Sequence, residues 1–121
     1  MVLILGALGA GKLAYAHSLG YADAQIAQAV LDDRPALAGL ETLVRSDPAD
    51  ADALFGALCK KELVLCCEVG CGVIPLDRAD RAYREAVGRL CTRLAAEATA
   101  VVRVIAGIPV AIKGELPCAR S

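Results

Sequence analysis

Apolar residues fall along this chain in two rhythms, and the alternation between them predicts a fold. Val2–Leu5 is a short unbroken apolar run ended by Gly6, the pattern of a strand buried on both faces of a parallel sheet. A glycine-rich loop follows, then a helix that starts near Gly11 and stops by Gly20, a glycine just past the last apolar position being a common C-terminal cap. From Asp23 to Leu31, Ile26, Ala27, Val30 and Leu31 recur at helical spacing until Asp33-Arg34-Pro35 breaks the pattern, and a further helix is predicted over Ala36–Arg45. Ser46-Asp47-Pro48 is a start signal, with Asp47 as N-cap and Pro48 at the first helical position, ahead of Ala51, Leu54, Phe55 and Leu58 on one face.

Leu63–Cys67 repeats the unbroken apolar run and reads as a second buried strand. After the loop Glu68–Leu76, Asp77 caps a long helix whose inner stripe is Ala79, Ala82, Tyr83, Ala86, Val87, Leu90, Leu94 and Ala98. Val101–Ile105 and Val110–Ile112 read as strands, and Glu115–Ser121 as a frayed tail. Strand, helix, strand, helix, strand is the signature of a single α/β domain over residues 1–114, a small, mostly parallel sheet flanked by helices. Right-handed crossovers put the C-terminal strand ends on one edge, where ligands bind. Three loops are therefore expected to converge there: Gly6–Lys12, Glu68–Pro75 and Ala106–Pro109.

Composition narrows the picture. A chain of 121 residues has room for one core, and its apolar mass is Ala, Leu, Val and Ile, with Phe55 the one phenylalanine and no tryptophan. A hydrophobic fraction of 57% and a mean hydropathy of +0.53 suggest an apolar surface covered by another subunit, hence a homo-oligomer. Thirteen basic against fourteen acidic residues give no global field to attract nucleic acid or anionic lipid. Lys12, Asp23, Glu68 and Arg103 interrupt the apolar stretches before any reaches the roughly eighteen residues of a membrane span. Met1–Gly11 has no basic segment in front of it, unlike a signal peptide, so a cytoplasmic location is expected. In that setting the six cysteines are expected reduced, and Cys66-Cys67-x3-Cys71 is a poor metal cluster because its first two members face opposite sides of a strand.

The chemistry lies in Gly6-Ala7-Leu8-Gly9-Ala10-Gly11-Lys12, which fits G-x-x-x-x-G-K between a strand and a helix, the context of a phosphate-binding P-loop. Glycines let successive N–H groups point inward, and Lys12 reaches the β- and γ-phosphates of a nucleoside triphosphate. The bland alternative is a glycine-rich strand-to-helix turn with a solvated Lys12. One position departs from the rule: Leu13 stands where Ser or Thr would supply the hydroxyl that holds Mg²⁺. Because Mg²⁺ keeps several waters and takes one or two carboxylates, a water or Glu68 is expected to fill that place, with weaker retention. Glu68, at the start of a loop that Gly70 and Gly72 would let approach a ligand closely, is also placed to accept a substrate proton; fixing its own loop is the alternative role.

The segment Cys67-Glu68-Val69-Gly70-Cys71-Gly72-Val73-Ile74-Pro75 and the helix through Arg78, Arg81, Arg84-Glu85, Gly88-Arg89 and Arg93-Leu94-Ala95 resemble the adenosylcobinamide kinase/adenosylcobinamide-phosphate guanylyltransferase family. Val104–Lys113 resembles that family's closing strand pair, and with the phosphate loop the likeness covers residues 1–19 and about 59–114. The resemblance implies a P-loop NTPase-like fold, a trimer, and a corrinoid substrate. It further implies phosphorylation of the corrinoid side-chain hydroxyl by GTP or ATP, then GMP transfer onto that phosphate through a histidine.

Departures from the family pattern matter equally. The residues missing from this short chain fall between the first helix and the second strand, and the family's nucleophile goes with them, because Ala27–Asp32 contains no histidine. The family's acidic strand end near its metal is not recognisable, Cys67 replaces an Asn, and Cys91-Thr92 replaces Asn-Gln. His17, the one histidine, lies about one and a half turns past Lys12 and reads as a surface or packing residue. Asp77–Arg81, Asp80–Arg84 and Glu85–Arg89 are favourable i,i+4 pairs, which leaves Arg78 as the phosphate-contact candidate on the long helix. Two functions follow: a kinase-like enzyme with its guanylyl step lost, or a non-catalytic nucleotide-binding module that regulates or scaffolds other corrinoid enzymes. A thiol or metal protein is a third reading, resting on cysteine count alone.

Overall fold

Six strands form one sheet in the order β2-β3-β4-β1-β5-β6, comprising β1 (Val2–Gly6), β2 (Ile26–Gln28), β3 (Ala36–Ala38), β4 (Leu63–Cys67), β5 (Ala100–Ile105) and β6 (Ile108–Lys113). The computed structural model describes residues 1–68 and 77–119 of the chain. All neighbouring strands run parallel except β6, which returns antiparallel to β5. β1 is central, with Leu3 opposite Val64 on one side and Val101 on the other. Both faces of so central a strand are covered, which is why its sequence is apolar without alternation.

Helices α2 (Leu40–Ser46), α3 (Phe55–Cys59) and α4 (Arg78–Glu97) cover one face and α1 (Lys12–Ser18) covers the other. The larger core packs Leu3, Val64, Cys66 and Val101 of the sheet against Leu40, Val44, Leu58, Leu90 and Leu94. The smaller joins Ile4, Leu65, Val102 and Val104 to Ala16, Leu19 and Tyr21. Helix α4 starts as its sequence dictates, since the Asp77 side chain accepts the Asp80 N–H at 2.7 Å. Its buried stripe begins at Tyr83; Ala79 and Ala82 lie exposed beyond the edge of the core. Of the three i,i+4 pairs expected on this helix, Asp80–Arg84 closes, at 3.1 Å.

The expected helix from Asp23 to Leu31 is not formed. A single 3₁₀ turn, Asp23–Gln25, leads into strand β2, and Val30 is 51% exposed. Two adjacent apolar residues, Ile26 and Ala27, mimic part of a helical stripe, but both are buried because neighbouring residues of a strand face opposite sides. The helix expected over Ala36–Arg45 is likewise divided. Ala36–Ala38 form β3 between β2 and β4, and Gly39, at φ +73°, turns the chain so that the helix begins at Leu40. After Asp47 the chain takes a 3₁₀ path over Pro48–Leu54 before α3, with Pro48 at the first position and no capping bond from the Asp47 side chain.

Lys61 pins the rebuilt edge from below. It is 8% exposed, and its ammonium donates to the carbonyls of Asp32 and Arg34, which fixes the connection between β2 and β3. Beyond the core, Ile105, Ile108, Val110 and Ile112 leave apolar surface exposed along the β5–β6 edge. No helix among the described residues is long and apolar enough to cross a membrane. Leu90 is fully buried between α4 and the sheet, so Leu90→Ala is expected to cost about 2–5 kcal/mol through lost transfer energy and a residual cavity, read as a fall in the denaturant midpoint at unchanged slope.

Candidate functional site

The phosphate loop leaves the C-terminal end of β1 and is clasped from both sides by backbone hydrogen bonds. Glu68 N–H, just past β4, donates to Gly6 O at 3.0 Å. Gly107 N–H, in the β5–β6 turn, donates to Ala10 O at 2.8 Å. That turn holds Ala106 at φ +50° and Gly107 at φ +78°, the two left-handed residues of a tight hairpin. Within the loop, Ala10 N–H donates to Ala7 O at 3.0 Å. Gly6 is a position of close approach, since a Cβ there would lie 2.9 Å from the Val104 carbonyl oxygen.

Lys12 folds its side chain back over this curl, its Nζ donating to Gly6 O at 3.0 Å and Ala7 O at 2.9 Å. The ammonium is thereby stationed over the loop by two acceptors that an anion can replace. Leu8 stands 92% exposed on the loop, and Gly11 is the left-handed residue from which α1 starts.

Two cavities flank the loop. On the β3 and β4 side, a space of about 390 Å³ is lined by Lys12, Leu13, Gln28, Glu41, Leu65 and Cys67 among others. Leu13, 40% exposed, presents its apolar side chain to that space. Glu41, from the first turn of α2, reaches the edge of the sheet and accepts the Cys67 N–H at 2.8 Å. On the β5 side, a space of about 270 Å³ is lined by Ala7, Leu8, Gly9, Ala10, Glu68 and Arg103 with the start of the hairpin turn. Here Arg103 grips Glu68 through both its oxygens, at 2.7 and 3.0 Å, a charge-assisted pair that leaves the side chain of Glu68 20% exposed.

The structure thus brings Gly6 through Leu13 together with Glu68 at one edge, as the loop convergence requires, while residues 69–76, including Gly70, Cys71 and Gly72, lie outside the described set. Glu68, expected near a cation, has Arg103 as its immediate partner and lies on the opposite side of the loop from Leu13. Arg78 opens α4, is exposed, and lines neither cavity. His17 is held 2.7 Å from the exposed carboxylate of Asp23, and it too lines neither.

Glu41 and Arg103 escaped the sequence reading. Glu41 falls in the stretch taken for one continuous helix, where an acidic residue reads as solvent-facing. Recognising Ala36–Ala38 as a strand would have moved it to the ligand-binding edge. Arg103 carried a signal, being the lone charge inside an apolar strand. Cys66 and Cys67 do face opposite sides of β4. Cys66, hydrogen-bonded to Cys91 and buried, has its thiol pushed above the ordinary range, whereas Cys67 borders the cavity beside Leu13. Among the described residues no cluster of three His, Cys, Asp or Glu side chains is arranged to hold a metal, and the carboxylate that the Leu13 cavity offers is Glu41.

A search of curated proteins returns no match to this chain. A family model described as cobinamide kinase / cobinamide phosphate guanyltransferase matches residues 40–112, from the first residue of α2 into β6. That stretch is more than half of the chain and contains α4, β4, β5, Glu41, Glu68 and Arg103, while the phosphate loop precedes it. The mostly parallel six-stranded sheet with its strand-loop-helix phosphate motif is the architecture of P-loop nucleotide-binding proteins, and with the family match it identifies the chain as a member of the cobinamide kinase/cobinamide phosphate guanyltransferase family.

Proposed function

We propose that the protein binds GTP or ATP over Gly6–Lys12 and transfers the γ-phosphoryl group to a side-chain hydroxyl of a cobinamide. The observation that carries this reading is the Lys12 ammonium, held by the loop's own carbonyls at 2.9 and 3.0 Å. On arrival of the triphosphate the ammonium exchanges those carbonyls for phosphate oxygens, and the inward N–H groups take up further charge. The acceptor hydroxyl oxygen bonds to the γ-phosphorus while the bond to the β,γ-bridging oxygen breaks, so the nucleoside diphosphate leaves with that electron pair. Glu68, paired with Arg103 on the hairpin side of the loop, is the carboxylate that receives the hydroxyl proton. A magnesium ion, when bound, supplies charge neutralisation across the β- and γ-phosphates. A homo-oligomer, a trimer by family resemblance, belongs to the same reading, supported by the exposed apolar edge at Ile105, Ile108 and Val110.

A non-catalytic nucleotide-binding module is the second reading, and Leu13 facing the cavity is the observation that favours it. Nucleotide binding without phosphoryl transfer to cobinamide in a kinase assay decides for it. We further propose that the guanylyl step is lost. No histidine lines either described cavity, and Lys60 and Lys61 lie at the opposite edge of the sheet, Lys61 being spent on backbone carbonyls.

Lys12→Ala is expected to weaken nucleotide binding by about 1.5–3 kcal/mol, roughly tenfold or more, by calorimetric titration; equal affinities in both proteins would sink the phosphate-loop reading. Because Leu13 offers no ligand, binding is expected to depend only modestly on Mg²⁺, and Leu13→Ser to strengthen that dependence, measured by the same titration with Mg²⁺ or a chelator. Incubation with α-labelled GTP and Mg²⁺ followed by denaturing electrophoresis is expected to leave no label on the protein. A labelled band abolished by His17→Ala would reverse that conclusion.

A further inference from the structure

We propose that Glu41 is the carboxylate that positions a divalent cation beside the nucleotide phosphates, compensating for the hydroxyl that Leu13 lacks. The inference rests on the reading of Gly6–Lys12 as a phosphate cradle and assigns a side chain that the loop motif does not contain. In a P-loop the residue after the lysine faces the metal that bridges the β- and γ-phosphates. That residue is Leu13, and the cavity it lines is also lined by Glu41 and Lys12.

The carboxylate is anchored there. Glu41 Oε1 accepts the Cys67 N–H at 2.8 Å, which ties the side chain to the end of β4, and Cys67 is the register partner of Gly6, where the phosphate loop begins. This bond uses Oε1, and Oε2 accepts no hydrogen bond from the described residues. Magnesium suits such a donor set, because it takes one or two protein carboxylates and completes its shell with phosphate oxygens and water.

Charge distinguishes Glu41 from its rival. Two carboxylates flank the loop, and Arg103 already neutralises Glu68 through both oxygens. Glu41 forms no ion pair among the described residues, so phosphates drawn to Lys12 in this cavity come up against a carboxylate that no salt bridge neutralises. A cation between them removes that repulsion and is itself held by it.

Glu41→Gln separates this role from the structural one, since the amide oxygen still accepts the Cys67 N–H while the charge is gone. Affinity for a non-hydrolysable GTP or ATP analogue is measured by calorimetry with Mg²⁺ and with a chelator. In wild type Mg²⁺ tightens binding, modestly because position 13 supplies no hydroxyl. In Glu41→Gln that tightening is expected to vanish while chelator-phase affinity holds or rises, and Glu41→Asp, which keeps the charge, retains part of it. Equal tightening in wild type and Glu41→Gln overturns the proposal, as does a wild type on which Mg²⁺ has no effect. Loss of all nucleotide binding in wild type under both conditions instead removes the phosphate-loop reading and this proposal with it.

A measurement free of mutation guards against an unstable variant. With Mn²⁺ and the same analogue on the wild-type protein, paramagnetic broadening of backbone amide signals is expected at Gly39, Leu40 and Glu41 ahead of Arg103 and Val104. Broadening centred on Arg103 would assign the cation to Glu68 and overturn the proposal.

Discussion

The parallel pairing of β1 with β4 on one side and β5 on the other is the constraint on which everything else rests. It places Gly6 opposite Cys67 at one edge of the sheet, so the loop that follows must emerge between the ends of both neighbours. Each neighbour then contributes a backbone donor, Glu68 N–H to Gly6 O and Gly107 N–H to Ala10 O. The loop is thus secured at both ends by its own main chain, and the Lys12 ammonium is held over it. Little reorganisation is then needed when an anion arrives, which is the advantage of a preformed site.

The same pairing divides the surroundings of the loop into two chemically different sides. On the β5 side a carboxylate and a guanidinium neutralise one another across β1. On the β3 and β4 side a carboxylate faces an apolar Leu13 and the thiol-bearing Cys67. A triphosphate over the loop would run from Lys12 toward Glu41, a carboxylate without an ion pair among the described residues.

The helix-covered faces serve this edge indirectly. Helix α4 fills the larger core with Tyr83, Val87, Leu90 and Leu94 and packs on the same face of the sheet as α2, the element that delivers Glu41. Lys61 and the ion-paired Asp32–Arg34 turn close the far edge, where β3 enters the sheet. Both devices fix β3, and through Gly39 they fix where α2 begins.

The sequence by itself determined the elements whose signals are local and unambiguous. β1 and β4 read directly because a strand buried on both faces needs an unbroken apolar run, α4 because a capping Asp77 precedes a long apolar stripe, and the turn from β1 into α1 because glycines punctuate it. The tertiary structure decided Ile26–Gln28, Ala36–Ala38 and the placing of Glu41. Three-residue strands carry too few positions for period two to be told from period 3.6, and their stability comes from neighbours distant in sequence, β3 being held by β4. The partners of Glu68 and Glu41 were hidden for a related reason: Arg103 lies 35 residues from Glu68, and the Cys67 N–H lies 26 from Glu41. Which carboxylate pairs with Arg103 and which shares a cavity with Leu13 therefore follows from strand order, a property of the assembled sheet that no local stretch of the chain encodes.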